Sequence, residues 1–146
     1  MGPGIDNKAV SARYYEAWNT RNLTIPEEIF AREFFIHDPA SPVSLVQGPE
    51  GVVDRIRLYH EAFPDLQIEV GRVLCEGDTV ATRWTLRGTH LGTFGGHGPT
   101  RRRIEVTGIT LHRVDQGRIL EAWVNWDTLT LWRQLGLISF RPPAGA

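Results

Sequence analysis

In PDLQIEVGRVLCEGDTVATRWTL, residues 64–86, the hydrophobic period changes from helical to two. From Pro64 onward Leu66, Ile68, Val70 and Leu74 alternate with polar or small residues, and only Arg72 interrupts the apolar row. A period of two belongs to a strand with one buried face. Glu76-Gly77-Asp78 predicts a tight turn, and Val80, Thr82, Trp84 and Leu86 predict the inward row of the returning strand. Beyond a loop at 91–102 a third long strand is expected from Arg103 to Val114. Asp115-Gln116-Gly117 then turns the chain into a fourth, Ile119 to Asp127.

Upstream of Pro64 the period is helical. Asp6 can cap a helix reaching about Asn19, with Val10, Tyr14, Ala17 and Trp18 as its apolar stripe. Thr24-Ile25-Pro26-Glu27-Glu28 signals a short second helix, because Pro suits a first turn and acids suit its positive end. Phe34 to His37 reads as a brief strand stopped by Asp38-Pro39. Gly48-Pro49-Glu50 starts a third helix with Val52, Ile56, Tyr59 and Phe63 on its buried side. A last amphipathic segment, Leu129 to Leu135, ends at Gly136. Helices followed by long antiparallel strands predict an α+β domain, with the helices on the concave face of a curved, mainly antiparallel sheet. Such a cone-shaped roll encloses a largely apolar cavity. One domain over 1–146 is expected, with frayed tails at about 1–4 and 141–146.

Composition excludes several function classes. Sixteen Lys and Arg against 17 Asp and Glu leave a net charge of −1, which gives nucleic acid no electrostatic footprint. Arg101-Arg102-Arg103 reads as a solvated hairpin base. No apolar run spans a bilayer, and the first residues carry no basic-then-apolar signal, so a cytoplasmic setting is the expectation. Cys75 is the only cysteine; its place in an apolar strand predicts a buried small hydrophobe. The five histidines show no metal-ligand spacing, and the Gly-rich run from Gly92 to Gly98 is followed by no helix, which makes it a poor phosphate cradle. That run reads as a flexible lip over the cavity. Neither a metal nor an organic cofactor is expected.

The residues able to carry acid–base chemistry are few. Strand alternation puts Glu121, Trp123, Asn125 and Asp127 on one face of the fourth strand, and Leu120, Ala122, Val124 and Trp126 on the other. On alternation alone the polar row points to solvent. Asp127, however, lies at the strand end before an apolar helix, where a dry carboxyl would have a raised pKa and serve as a general acid. His112 shares a face with Ile104, Val106, Thr110 and Val114, as either a hydrogen-bonded core residue or a partner of Asp127 across adjacent strands. Asp38, at the end of the brief strand, is either turn chemistry or a second cavity carboxylate.

Several stretches together carry a family resemblance. They are the Tyr14-Tyr15-Glu16-Ala17-Trp18-Asn19 helix, Phe63-Pro64-Asp65-Leu66, Arg83-Trp84-Thr85, Gly88-Thr89-His90, Val106-Thr107-Gly108-Ile109, Gly117-Arg118-Ile119, Asp127 and Gln134-Leu135-Gly136. With them the chain resembles the SnoaL-like polyketide cyclases of the nuclear-transport-factor-2-like fold. The resemblance implies intramolecular aldol-type ring closure of an aromatic polyketide ester, without cofactor. Asp127 would then be the acid/base, His112 its assistant, and Asp127, Asn125 and Trp123 would face the cavity. It further implies Tyr15, His37, Trp84, His90, Trp123 and Asn125 as substrate contacts, with Trp84 and Trp123 as flat walls. His37-Asp38-Pro39 resembles the segment that carries the base in ketosteroid isomerases. Competing readings are an isomerase using Asp38, a hydroxylating relative, a ligand-binding module without turnover, and a structural dimerisation domain. A homodimer or higher oligomer is expected through the outer sheet face, where Ile109 and Leu111 would otherwise lie exposed.

Overall fold

The computed structural model describes residues 6–41 and 47–139. Four helices and five strands follow one another as α1 (Asn7–Thr20), α2 (Ile25–Ile29), β1 (Phe30–His37), α3 (Gly48–Ala62), β2 (Gln67–Glu76), β3 (Thr79–Thr89), β4 (Arg103–Asp115), β5 (Arg118–Trp126) and α4 (Thr128–Gln134). The strands form one curved, open, mixed sheet in the order β1-β5-β4-β3-β2. Every pairing is antiparallel except β1 with β5. The α+β roll expected from the sequence is the fold observed. The proposed tails at 1–4 and 141–146 lie outside the described residues.

Local chemistry explains most boundaries. The Asp6 carboxylate accepts from the Lys8 amide at 2.9 Å, capping α1. Val10, Tyr14, Ala17 and Trp18 are buried as the stripe requires, and so are Ser11 and Tyr15 beside them. β4 and β5 are joined by a two-residue turn in which Gln116 and Gly117 both have positive φ, 49° and 78°, the geometry that matches the twist of a hairpin. β1 begins four residues before the Phe34 expected, because Phe30, Ala31 and Phe34 all find burial against the core.

Two bulges correct the simple alternation. In β2, Val70 pairs with Trp84 but Val73 pairs with Thr82, so β2 holds one residue more than β3 across this span. Leu66 and Ile68 are buried as expected. Beyond the bulge Val73 takes the inner row opposite Thr82, and Leu74 turns outward opposite Ala81, where it is 60% exposed. Cys75 is likewise exposed, not buried, because β2 is an edge strand. A second bulge leaves Leu120 unpaired in β5, since Val114 faces Ile119 and Arg113 faces Glu121.

The core lies between the inner sheet face and the helices. Ile56, Ala62 and Phe63 come from α3 and its C-cap, and Val80, Leu86, Val106, Ile119 and Val124 come from the sheet. The Gly-rich loop after β3 is tied to this core, not loose. The amides of Leu91 and Gly92 both donate to the Ala62 carbonyl, and Phe94 packs 5.3 Å from Tyr59 and 5.4 Å from Phe63. Gly92 is required there: a Cβ would stand 2.1 Å from the Glu61 carbonyl oxygen.

Candidate active site

Helix spacing and strand rungs together build a narrow cavity of about 30 Å³ at the centre of the roll. α1 contributes Tyr14, Tyr15 and Trp18, and α3 contributes Arg55 and Tyr59, a pair four residues apart on one helix face. The sheet supplies Trp84, Thr110 and Trp126. Trp84, Gly108 and Trp126 occupy one rung across β3, β4 and β5. Gly108 is what lets the two indoles meet, with ring centres 6.4 Å apart, because a Cβ there would lie 2.4 Å from the Trp84 ring.

The polar groups around this space include a buried cluster centred on Asp38 and a separate Trp84–Thr110 pair. The Asp38 carboxylate, just past the end of β1, is 2% exposed and accepts from Arg55 Nη2 at 2.7 Å and from Trp126 Nε1 at 3.2 Å. Arg55 is itself 7% exposed; its Nη1 donates to Ser41 Oγ at 3.3 Å and its guanidinium sits 5.3 Å from the Tyr59 ring centre. Trp84 Nε1 donates to Thr110 Oγ1 at 2.9 Å. Burial pushes the Tyr15 phenol well above its ordinary pKa; the hydroxyls of Thr110 and Thr82 offset this slightly without making a bond of normal geometry. Burial also raises the pKa of Tyr59. Both phenols therefore keep their protons near neutrality and are available as donors.

Asp127 does not face the cavity. It is exposed, it caps α4 through its bonds to Thr130 N at 3.0 Å and Thr130 Oγ1 at 2.6 Å, and those bonds hold its carboxyl below the usual range. Asn125 and Trp123 share its side of β5, so the polar row points outward as plain alternation requires and the orientation implied by the resemblance is corrected. His112 is fully buried but pairs with Ala122, which places it roughly 16 Å along the strand from Asp127 and on the opposite face. No His–Asp pair forms. Instead His112 Nδ1 meets Ser11 Oγ at 2.8 Å, the ring packs 5.1 Å from Tyr14, and burial lowers its pKa to about 3. It is a neutral core histidine that supports the Tyr14 wall from behind.

The remaining expectations divide. Tyr15 and Trp84 line the cavity. His37 and Trp123 stack on each other on the outer face, 5.4 Å apart, and His37 Nε2 meets Glu121 Oε2 at 2.7 Å. His90 is buried at the foot of the β3–β4 loop, where Nδ1 accepts from the Thr100 amide at 3.1 Å; it anchors the loop and does not reach the cavity. Asp38, expected as either turn chemistry or a second cavity carboxylate, is buried behind the cavity lining and bonded to two of its side chains, Arg55 and Trp126. Sequence reading missed Arg55, Trp18 and Trp126. Arg55 carried a legible signal: it falls inside the Val52–Ile56–Tyr59 stripe, where a charge must be paired.

Comparison with known proteins agrees with this architecture. IdmH from Streptomyces antibioticus, described as a putative polyketide cyclase, is 33% identical over 90% of this chain and 99% of its own, with a TM-score of 0.79. AclR from Streptomyces galilaeus, described as a putative hydroxylase, is 28% identical over 94% and 89%, also at 0.79. A putative polyketide cyclase from Bacillus cereus is 29% identical over 89% and 80%, at 0.74. No curated protein matches the sequence. No helix among the described residues is long and apolar enough to cross a membrane. The SnoaL-like polyketide cyclase model matches residues 8–135, and the chain belongs to that family.

Proposed function

We propose that this protein closes a ring on a polyketide-type substrate by cofactor-free acid–base catalysis, with Asp38, not Asp127, as the proton-transfer group. One observation carries the reading. The Asp38 carboxylate is 2% exposed and is gripped by two cavity-lining side chains, Arg55 and Trp126. In the proposed cycle Asp38 takes a proton from a carbon flanked by two carbonyls. The resulting enolate carbon attacks an acceptor carbonyl and forms the new C–C bond. The Tyr15 or Tyr59 phenol hydrogen-bonds the developing alkoxide, which then recovers the proton from Asp38.

A cavity of about 30 Å³ holds roughly one or two waters, not a fused-ring substrate. Trp126 is the least buried of the aromatic walls, and its indole N–H covers Asp38 Oδ1. Swinging this indole aside would enlarge the space and uncover the carboxylate in the same movement. The decisive test is the turnover of Asp38→Asn against that of Asp127→Asn. The first should collapse and the second stay near normal, with a stability cost of about 1 kcal/mol or less for the weakened cap. The reverse order would return the chemistry to Asp127.

A second reading, cofactor-free hydroxylation, is favoured by the likeness to AclR, described as a putative hydroxylase. It would consume dioxygen in step with substrate, and ring closure would not; an oxygen electrode separates the two.

The outer sheet face is proposed to pair two copies of the chain. Leu74, Ala81, Leu111, Trp123 and His37 form one rung across all five strands, and Ile109 beside it is 47% exposed. Sedimentation at micromolar concentration should give a dimer that Leu111→Arg dissociates; a monomer throughout would refute the pairing.

A further inference from the structure

The unsatisfied polar atoms of the cavity are all able to donate. Tyr15 Oη, Tyr59 Oη, Trp18 Nε1 and Arg55 Nε are buried and lack a hydrogen-bond partner among the described residues, and all four belong to side chains that line the cavity. Buried polar groups are normally paired, so four orphans around one space mark a site built for a ligand. Arg Nε and Trp Nε1 can only donate, which requires the ligand to present acceptor oxygens. Arg55 is also the only cation lining the cavity among the described residues. Its charge is balanced by Asp38 in the resting site.

We propose that Arg55 is an oxyanion-binding catalytic residue whose guanidinium stays matched to one negative charge throughout the cycle: the Asp38 carboxylate at rest, and the enolate oxygen of the substrate once Asp38 holds the proton. The inference rests on the reading of Asp38 as the proton acceptor. Its physical basis is charge conservation in a buried space. Proton transfer moves one negative charge from Asp38 to the ligand and leaves the count unchanged, so Arg55 is never an uncompensated buried cation. The ligand class follows: a flat molecule with at least two convergent oxygens, one of which becomes anionic. Orphan donors that meet this oxygen only after proton transfer favour the transition state over the bound substrate.

The test uses 4-nitrophenolate as the anionic probe and 4-nitroanisole as its neutral counterpart. Asp38→Asn freezes the state in which position 38 is uncharged. It should bind 4-nitrophenolate roughly tenfold or more tightly than the unmodified protein, the scale of coupling between close buried charges. The double variant Asp38→Asn, Arg55→Met should lose that gain, and 4-nitroanisole should bind all three proteins alike. No gain in Asp38→Asn, or a gain that survives removal of Arg55, would overturn the proposal. A second readout needs no Arg55 variant: 4-nitrophenol bound to Asp38→Asn should ionise at a lower pH than in solution, seen in its visible absorption. An unchanged or higher ionisation pH would contradict the assignment. The two ideas fail separately. Tighter phenolate binding with undiminished turnover in Asp38→Asn removes Asp38 as the proton acceptor but keeps the Arg55 site. Lost turnover without tighter binding does the opposite.

Discussion

Asp38→Asn should lower the maximal rate by roughly 10²–10⁴, the range for removing a positioned acid–base group. The amide keeps the shape of the carboxylate, and its oxygen can still accept from Arg55 or Trp126, so the fold should persist. What disappears is the ability to hold and return a proton. Because that ability matters in the transition state and not in the bound ground state, the loss should fall on kcat more than on KM. Asp38→Ala is a poorer test: both changes remove the counter-charge of Arg55, but Ala also removes the oxygen to which Arg55 and Trp126 donate and leaves a void. A near-normal kcat in Asp38→Asn would remove the carboxylate from the chemistry.

Arg55→Met should give the largest loss of stability of any single change in the cavity. Arg55 and Asp38 are 7% and 2% exposed, so neither charge can turn to water when its partner is removed. Breaking one side of such a pair costs about 3–5 kcal/mol. For a chain of this size that is a fall of roughly 10 °C in Tm. Neutralising both sides is different: the Asp38→Asn, Arg55→Met double variant leaves no orphan charge and should recover much of the loss. Urea denaturation of the two single variants and the double variant gives the coupling directly. A double variant as unstable as the sum of the singles would mean that the two side chains act independently.

The gross fold was legible because its signals are local. The change of period at Pro64, the Asp6 cap and the Gln116-Gly117 turn each act within a few residues. Side-chain facing was legible only between bulges. Val80, Thr82, Trp84 and Leu86 point inward as alternation demands, whereas Leu74 is reversed by one extra residue that no local pattern announces. In β5 plain alternation described Asn125 and Asp127 better than family likeness did. Trp126 occupies the inward position at the strand end, and Asp127 follows it as a cap. The site network was the least legible part. Asp38, Arg55 and Trp126 come from the end of β1, from α3 and from β5, and only the folded chain brings them together. Asp38 was visible as a candidate carboxylate, whereas Arg55 was missed although it stands as a charge in an apolar stripe.

Chemistry inside the cavity at Asp38, and not on the outer face at Asp127, dictates where a substrate must sit. A crystal structure of the protein with a bound polycyclic phenol would locate it. The expected complex has the ring system between Trp84 and the α1 tyrosines, Trp126 displaced from Asp38, and the phenolic oxygen within hydrogen-bond reach of Arg55, Tyr15 or Tyr59. A ligand seated instead against Trp123, Asn125 and Asp127, with the Asp38–Arg55–Trp126 network undisturbed, would contradict it.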